Sequence, residues 1–161
     1  MLKQIACEDR KVYKMTKDVL VKISGLQFAG EEDNDAIEVI TSGDYYLKNG
    51  KHYILYEEVL EETKEVTKNV IKLENNTMEV TKKGPSTVHM VFEKDKKNVS
   101  YYYTPIGSLL LGIDTKDIQI KETEHDINVT VKYGLEINYE HTADCNITVN
   151  VKSKEAKDFR L

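Results

Sequence analysis

From Ile127 to Tyr139 apolar and polar residues alternate without a break. Ile127, Val129, Val131, Tyr133, Leu135, Ile137 and Tyr139 hold the odd positions, and Asn128, Thr130, Lys132, Gly134, Glu136 and Asn138 the even ones. A helix would spread these residues round its circumference; a strand puts them on one face. Extended, the run reaches roughly 43 Å, beyond the usual strand length. Such a strand has to coil, and Gly134 is a place to bend it. Long coiled strands with one apolar face belong to barrels or strongly curved sheets.

The turn chemistry extends this reading to the rest of the chain. Asn49-Gly50 between two β-rich runs predicts a type I′ hairpin. Asn75-Asn76, Asp95–Asn98 and Glu124-His125 each separate further runs, and Glu61–Glu65 reads as a charged tip after a strand that ends near Val59. A last hairpin is expected between Asn138 and Asp144. In the segment Tyr101–Thr115, Pro105-Ile106-Gly107 turns the chain, and Leu109–Ile113 starts a strand covered on both faces. Successive local hairpins make antiparallel neighbours. The expected fold is therefore all-β, an up-and-down meander closed into a barrel of about 8–10 strands. It is a single domain over residues 18–152, with 1–17 as an N-terminal appendage and 153–161 as a C-terminal tail.

A chain of 161 residues buries a core without disulfide or metal staples. Its net charge of −5 lacks the cationic footprint of nucleic-acid binders. Arginine occurs only at Arg10 and Arg160, so bidentate anion capture is disfavoured. No export signal precedes Cys7 and no apolar run approaches spanning length, which points to a cytoplasmic protein without membrane contact. The Asn-x-Ser/Thr sequons at Asn75, Asn98, Asn128 and Asn146 then read as polar strand positions. Cys145, in phase with Ile147 and Val149, reads as a small core residue.

Hairpin register converts pattern into contacts. A two-residue loop at Asn49-Gly50 sets Leu47 opposite His52, Tyr45 opposite Ile54 and Gly43 opposite Tyr56. A four-residue loop at Asp95–Asn98 sets Phe92 opposite Tyr101 and Met90 opposite Tyr103. The predicted interior is thus rich in tyrosine: Tyr45, Tyr56, Tyr101, Tyr103, Tyr133 and Tyr139, with Met90 and Phe92. Rings of this kind pack a core or, in a wide barrel, line a cavity. The ligand-lining reading selects Tyr56, Met90, Phe92, Tyr101, Tyr103 and Tyr133.

Catalytic patterns do not accompany this wall. No nucleophile elbow, phosphate loop, HExxH or CxxC pair occurs. His52, His89, His125 and His141 are scattered singly; only His52 is expected inward, near the barrel rim. The acidic run Glu31–Asp35 lacks the ligand spacing and glycine of a calcium loop. Glu57 and Glu58 are adjacent on a strand and point to opposite faces, so they cannot serve one site as an acid/base pair.

Several short motifs, in order, carry a family resemblance. They are Ile23-Ser24-Gly25-Leu26-Gln27, Thr41–Tyr46, Tyr53–Glu58, Lys83-Gly84, Met90-Val91-Phe92, Thr104–Leu109, Gly112-Ile113-Asp114-Thr115 and Val131-Lys132-Tyr133. From about Val19 to Val151 the chain resembles the YwiB-like family of small bacterial β-barrel proteins. The resemblance implies a calycin-like, lipocalin-type barrel and carries no catalytic residue and no cofactor. It departs ahead of Gly84, where Lys82 and Lys83 replace an arginine.

The expected function is non-enzymatic binding of a small apolar molecule in the tyrosine-lined interior. The alternative is a protein-interaction module whose barrel is filled, with Tyr46, Tyr53 and Leu55 as an outer apolar patch and a homo-oligomer or another protein as partner. An enzyme of unidentified chemistry ranks third.

Overall fold

The computed structural model describes residues 17–25 and 38–154. Residues 1–16, 26–37 and 155–161, and with them all but Lys17 of the expected appendage and most of the tail, lie outside the described residues, including Cys7 and Glu31–Asp35. Ten strands follow in order: β1 Asp18–Ser24, β2 Glu38–Lys48, β3 Lys51–Val59, β4 Val66–Glu74, β5 Thr77–Lys83, β6 Thr87–Glu93, β7 Lys97–Thr104, β8 Gly107–Glu122, β9 Asp126–Ile137 and β10 Glu140–Ser153. Each of β2 to β10 neighbours the next, and β1 closes the ring between β10 and β2. Every pairing is antiparallel. No helix among the described residues is long and apolar enough to cross a membrane.

The hairpins form where left-handed backbone is affordable. Asn49 and Gly50 (φ 54° and 78°) and Asn75 and Asn76 (φ 48° and 59°) make two-residue turns with both central residues left-handed, the geometry that matches strand twist. A third such turn holds Asn138 and Tyr139 at φ 51° and 71°. Sequence alternation placed Tyr139 inside. The turn carries it out instead, 82% exposed, because β9 stops at Ile137 and β10 begins at Glu140. The hairpin expected to span residues 139–143 is therefore a two-residue loop.

Two long strands absorb their curvature in bulges. The ladder shifts between Thr115 and Asp117 on β8 and between His141 and Ala143 on β10. Each extra residue bends its strand and reverses the in–out phase. Leu111, Ile113 and Thr115 are buried before the first shift, and Ile118 after it.

Two hairpins differ from the expected register. Tyr103 pairs with Thr87 and Tyr102 with Val88. The expected partner of Tyr103 was Met90, three residues away, and an odd shift turns a strand over. Tyr101 and Tyr103 consequently face out, 54% and 56% exposed, while Tyr102 packs on the core. The cause lies in the connection after β6. Asp95 N–H donates to the Thr115 carbonyl (2.9 Å) and Thr115 N–H to the Lys96 carbonyl (3.1 Å). The loop is thereby fastened to β8, and the β7–β8 ladder sets the register of β7.

In the β2–β3 hairpin, Leu47 lies opposite His52 and Tyr45 opposite Ile54, as the turn predicts. The ladder stops at Asp44 and Leu55, so Gly43 does not pair with Tyr56; it pairs with Val19 on β1. A β-carbon on Gly43 would lie 2.8 Å from the Leu55 carbonyl oxygen. The two chains cross closely here and then diverge.

Tyr139 is the one residue other than Asn or Gly held left-handed in these three turns, a state that costs a side chain with a β-carbon. Replacing Tyr139 by Gly is expected to raise the unfolding free energy by about 1 kcal/mol, read as a higher urea midpoint at unchanged slope.

Candidate functional site

Tyr56, Met90, Phe92 and Tyr133 occupy the interior that alternation assigned to them, each no more than 5% exposed. They belong to one core. Phe92 meets Tyr133 edge to face at 5.1 Å between ring centres. Tyr101 and Tyr103 are absent from this wall and lie against each other on the outer face, 6.0 Å apart.

Burial acts on the phenols in one direction. The Tyr56 hydroxyl is pushed above its ordinary value by desolvation and further by the Glu58 charge. Tyr133 is raised by burial and by the Cys145 thiol, its partner across the ladder. Apart from that thiol, neither its hydroxyl nor that of Thr115 opposite finds a partner among the described residues. Tyr45 is raised by desolvation and by Glu122. Its hydroxyl meets His52 Nδ1 at 2.7 Å, and His52 Nε2 lies 3.4 Å from Glu122 Oε2. Since β3 and β8 are not neighbours, this chain of contacts spans the barrel end that carries the Asn49-Gly50 turn.

Beyond Asp44 and Leu55 the barrel wall opens. β2 stays with β1 up to Glu38, while β3 stays with β4 up to Val59. The fork holds a cleft of about 660 Å³. Ser42, Gly43 and Asp44 form one side, Leu55, Tyr56 and Glu57 the other, and Lys68, Asn69 and Val70 lie behind, with Asp18 and Lys154 at the β1 end.

The cleft floor leads to a polar cluster on the inner face. Asn69, 1% exposed, donates from Nδ2 to Glu58 Oε1 (3.0 Å) and to the Thr67 carbonyl (3.3 Å). Lys82 Nζ donates to Asn69 Oδ1 and to Glu58 Oε1, both at 3.1 Å. Every member thus has a charged or amide partner, which is what makes such burial tolerable. Glu57, on the outer face, takes no part, as strand alternation requires.

Sequence reasoning placed His52 inward but did not find its link to Tyr45 and Glu122, nor the Glu58–Asn69–Lys82 cluster. The inward phase of Glu58, Asn69 and Lys82 was the available signal. Their meeting depends on the registers of three strands. Among the described residues no three His, Cys, Asp or Glu side chains come together as a metal site.

A family profile described as a domain of unknown function, DUF1934, matches residues 21–149. The chain belongs to the DUF1934 family. The uncharacterized beta-barrel protein YwiB of Bacillus subtilis (strain 168) is 26% identical over 117 residues, which are 73% of this chain and 81% of that protein. A crystal structure of YwiB from Bacillus subtilis superposes with a TM-score of 0.70 at 22% identity, over 85% of this chain and 92% of that one. At that identity the likeness speaks for the fold. For this DUF1934 barrel the site argument rests on its own residues.

Two outcomes are expected. Lys82→Met leaves the Asn69 Oδ1 without its donor and the Glu58 carboxylate with the Asn69 amide but no cation, and lowers stability by about 2 kcal/mol, measurable by urea unfolding at neutral pH. The three buried phenols stay protonated when folded at pH values where the unfolded chain ionises. Their effect is nil below the ordinary phenol value of 10.0 and stability falls as pH rises past it, each contributing up to about 1.4 kcal/mol per pH unit. Tyr133→Phe should flatten that alkaline slope in urea midpoints taken between pH 9 and about 11.

Proposed function

We propose that this protein is a non-enzymatic interaction module that holds a protein partner on the outer face of β2, β3 and β4. The observation that carries the reading is a filled interior beside a partly apolar exterior. Ile54, Ile71, Leu73, Met78 and Phe92 are each 0% exposed, whereas Tyr46 and Leu55 are 42% and 36% exposed. A small apolar ligand among Tyr56, Met90, Phe92 and Tyr133 would have to displace rings that already pack each other, at the cost of their mutual contacts. Tyr101 and Tyr103 could not help to line such a site from the outer face.

The outer patch is continuous. Tyr46 pairs with Tyr53 across the hairpin, and Leu55 pairs with Val70 on β4. Leu55 and Val70 also line the fork. The aromatic patch therefore runs directly into the cleft, joining apolar contact area to a shaped depression, as interface centres do. Lys17, 5.3 Å above the Tyr46 ring, supplies a cationic margin.

Leu55→Glu and Tyr53→Glu are expected to reduce partner capture or self-association by at least roughly tenfold, with melting temperature unchanged. Pull-down with tagged protein and light scattering over a concentration series read this. Native mass spectrometry of gently purified protein should show no added small-molecule mass, and an apolar dye should not be taken up. A co-purified ligand, with both charge substitutions silent, returns the function to the barrel interior.

A further inference from the structure

We infer that the fork between β2 and β3 is a strand-acceptor site that takes an extended segment of the partner polypeptide by main-chain hydrogen bonding. This deepens the interaction reading above and rests on it.

The direction of the main-chain groups carries the inference. Tyr45 N–H donates to the Lys17 carbonyl at 2.7 Å. In a strand the N–H and C=O of one residue point to the same side and the next residue's to the other. Odd residues of β2 therefore face β1, and even residues face β3. On the other wall, Leu60 N–H donates to the Glu65 carbonyl at 2.9 Å, so even residues of β3 face β4 and odd residues face β2. Asp44 and Leu55 use their groups on each other. Past that pair, Ile40 and Ser42 on one wall and Glu57 and Val59 on the other turn theirs into the fork.

These four residues are all exposed. Among the described residues none has a ladder partner on that side; the Thr41 hydroxyl reaches the Ser42 carbonyl only at 3.4 Å. The barrel's other break, between β6 and β7, is bridged: Asn98 Nδ2 donates to the Val91 carbonyl at 3.3 Å, and the adjoining loop is bonded to β8. Barrels otherwise abolish free edges, because a row of unpaired groups invites pairing.

An extended main chain is the occupant that fits. It presents donors and acceptors at strand spacing to both sides, matching two facing edges at once. Its outward side chains would lie against Leu55 and Val70. The charged groups round the cleft, Asp18, Asp44 and Glu57 against Lys68 and Lys154, nearly balance, so no strongly charged segment is required.

The test uses the full chain and an acetylated, amidated heptapeptide of alternating valine and threonine. An analogue N-methylated along one edge serves as control. Hydrogen exchange followed by NMR should show the Ile40 and Ser42 amides exchanging freely in the protein alone, unlike those of Thr41 and Gly43, and protected with peptide present. The N-methylated analogue should bind roughly tenfold more weakly.

Ser42→Pro removes an N–H that faces the fork and none that faces β1. It should weaken peptide binding by a similar factor without lowering the melting temperature. Ser42→Ala, which loses only the Lys154 contact at 2.8 Å, should bind as the parent does. Protected Ile40 and Ser42 amides in the free protein, or equal binding of the methylated analogue, overturns the proposal. Protection that grows with protein concentration alone would assign the fork to a second copy and overturn it too. If the peptide does not bind while Leu55→Glu still abolishes partner capture, strand addition falls and the interaction reading stands. If neither responds, both fall.

Discussion

The barrel depends on one change of partner. β2 pairs with β1 from Glu38 to Asp44 and with β3 from Asp44 to Lys48, so a single strand both closes the ring and opens its wall. The two ladders meet at Asp44, and beside it Gly43 allows a close approach, because a β-carbon there would press on the Leu55 carbonyl and on Val21. Closure through β1 and the opening of the fork both start from the same crossing. The absence of a side chain at one position is what brings the two backbones together.

Packing follows from closure. Ten strands with alternate residues turned inward bring Ile, Val, Leu, Met and aromatic side chains into one buried core. The polar residues that do turn inward gather near the fork, where Glu58, Asn69 and Lys82 satisfy one another. At the opposite end, Tyr45, His52 and Glu122 do the same. The middle of the barrel holds Phe92 and Tyr133 in ring contact. The interior is thus apolar at its centre and polar toward its ends, and the main-chain groups of Ile40, Ser42, Glu57 and Val59, without a ladder partner among the described residues, turn into the fork.

Most strands were legible from alternation and turn residues, because both are local. Asn49-Gly50 announced its turn and the first pairs beside it, and the tip at Glu61–Glu65 stands between β3 and β4 as expected. Tyr139 was misread because alternation does not say where a strand stops. Tyr101 and Tyr103 were misread because a loop-length argument assumes that the chain returns directly onto its predecessor. Here the loop is bonded to β8, and β7 takes its register from that side. Of the wall read from sequence, Tyr56, Met90, Phe92 and Tyr133 are inside and belong to one buried core.

By itself the sequence determined an antiparallel all-β chain, the positions of most turns and the residues that alternate toward a core. These follow from the two-residue period of a strand and the backbone preferences of Asn and Gly, neither of which needs distant contacts. Only the tertiary structure decided which face of β7 is buried, where β2 leaves β3 and which polar side chains meet inside. Each of those depends on the register between strands and on the close crossing at Gly43, which arise when the sheet closes on itself.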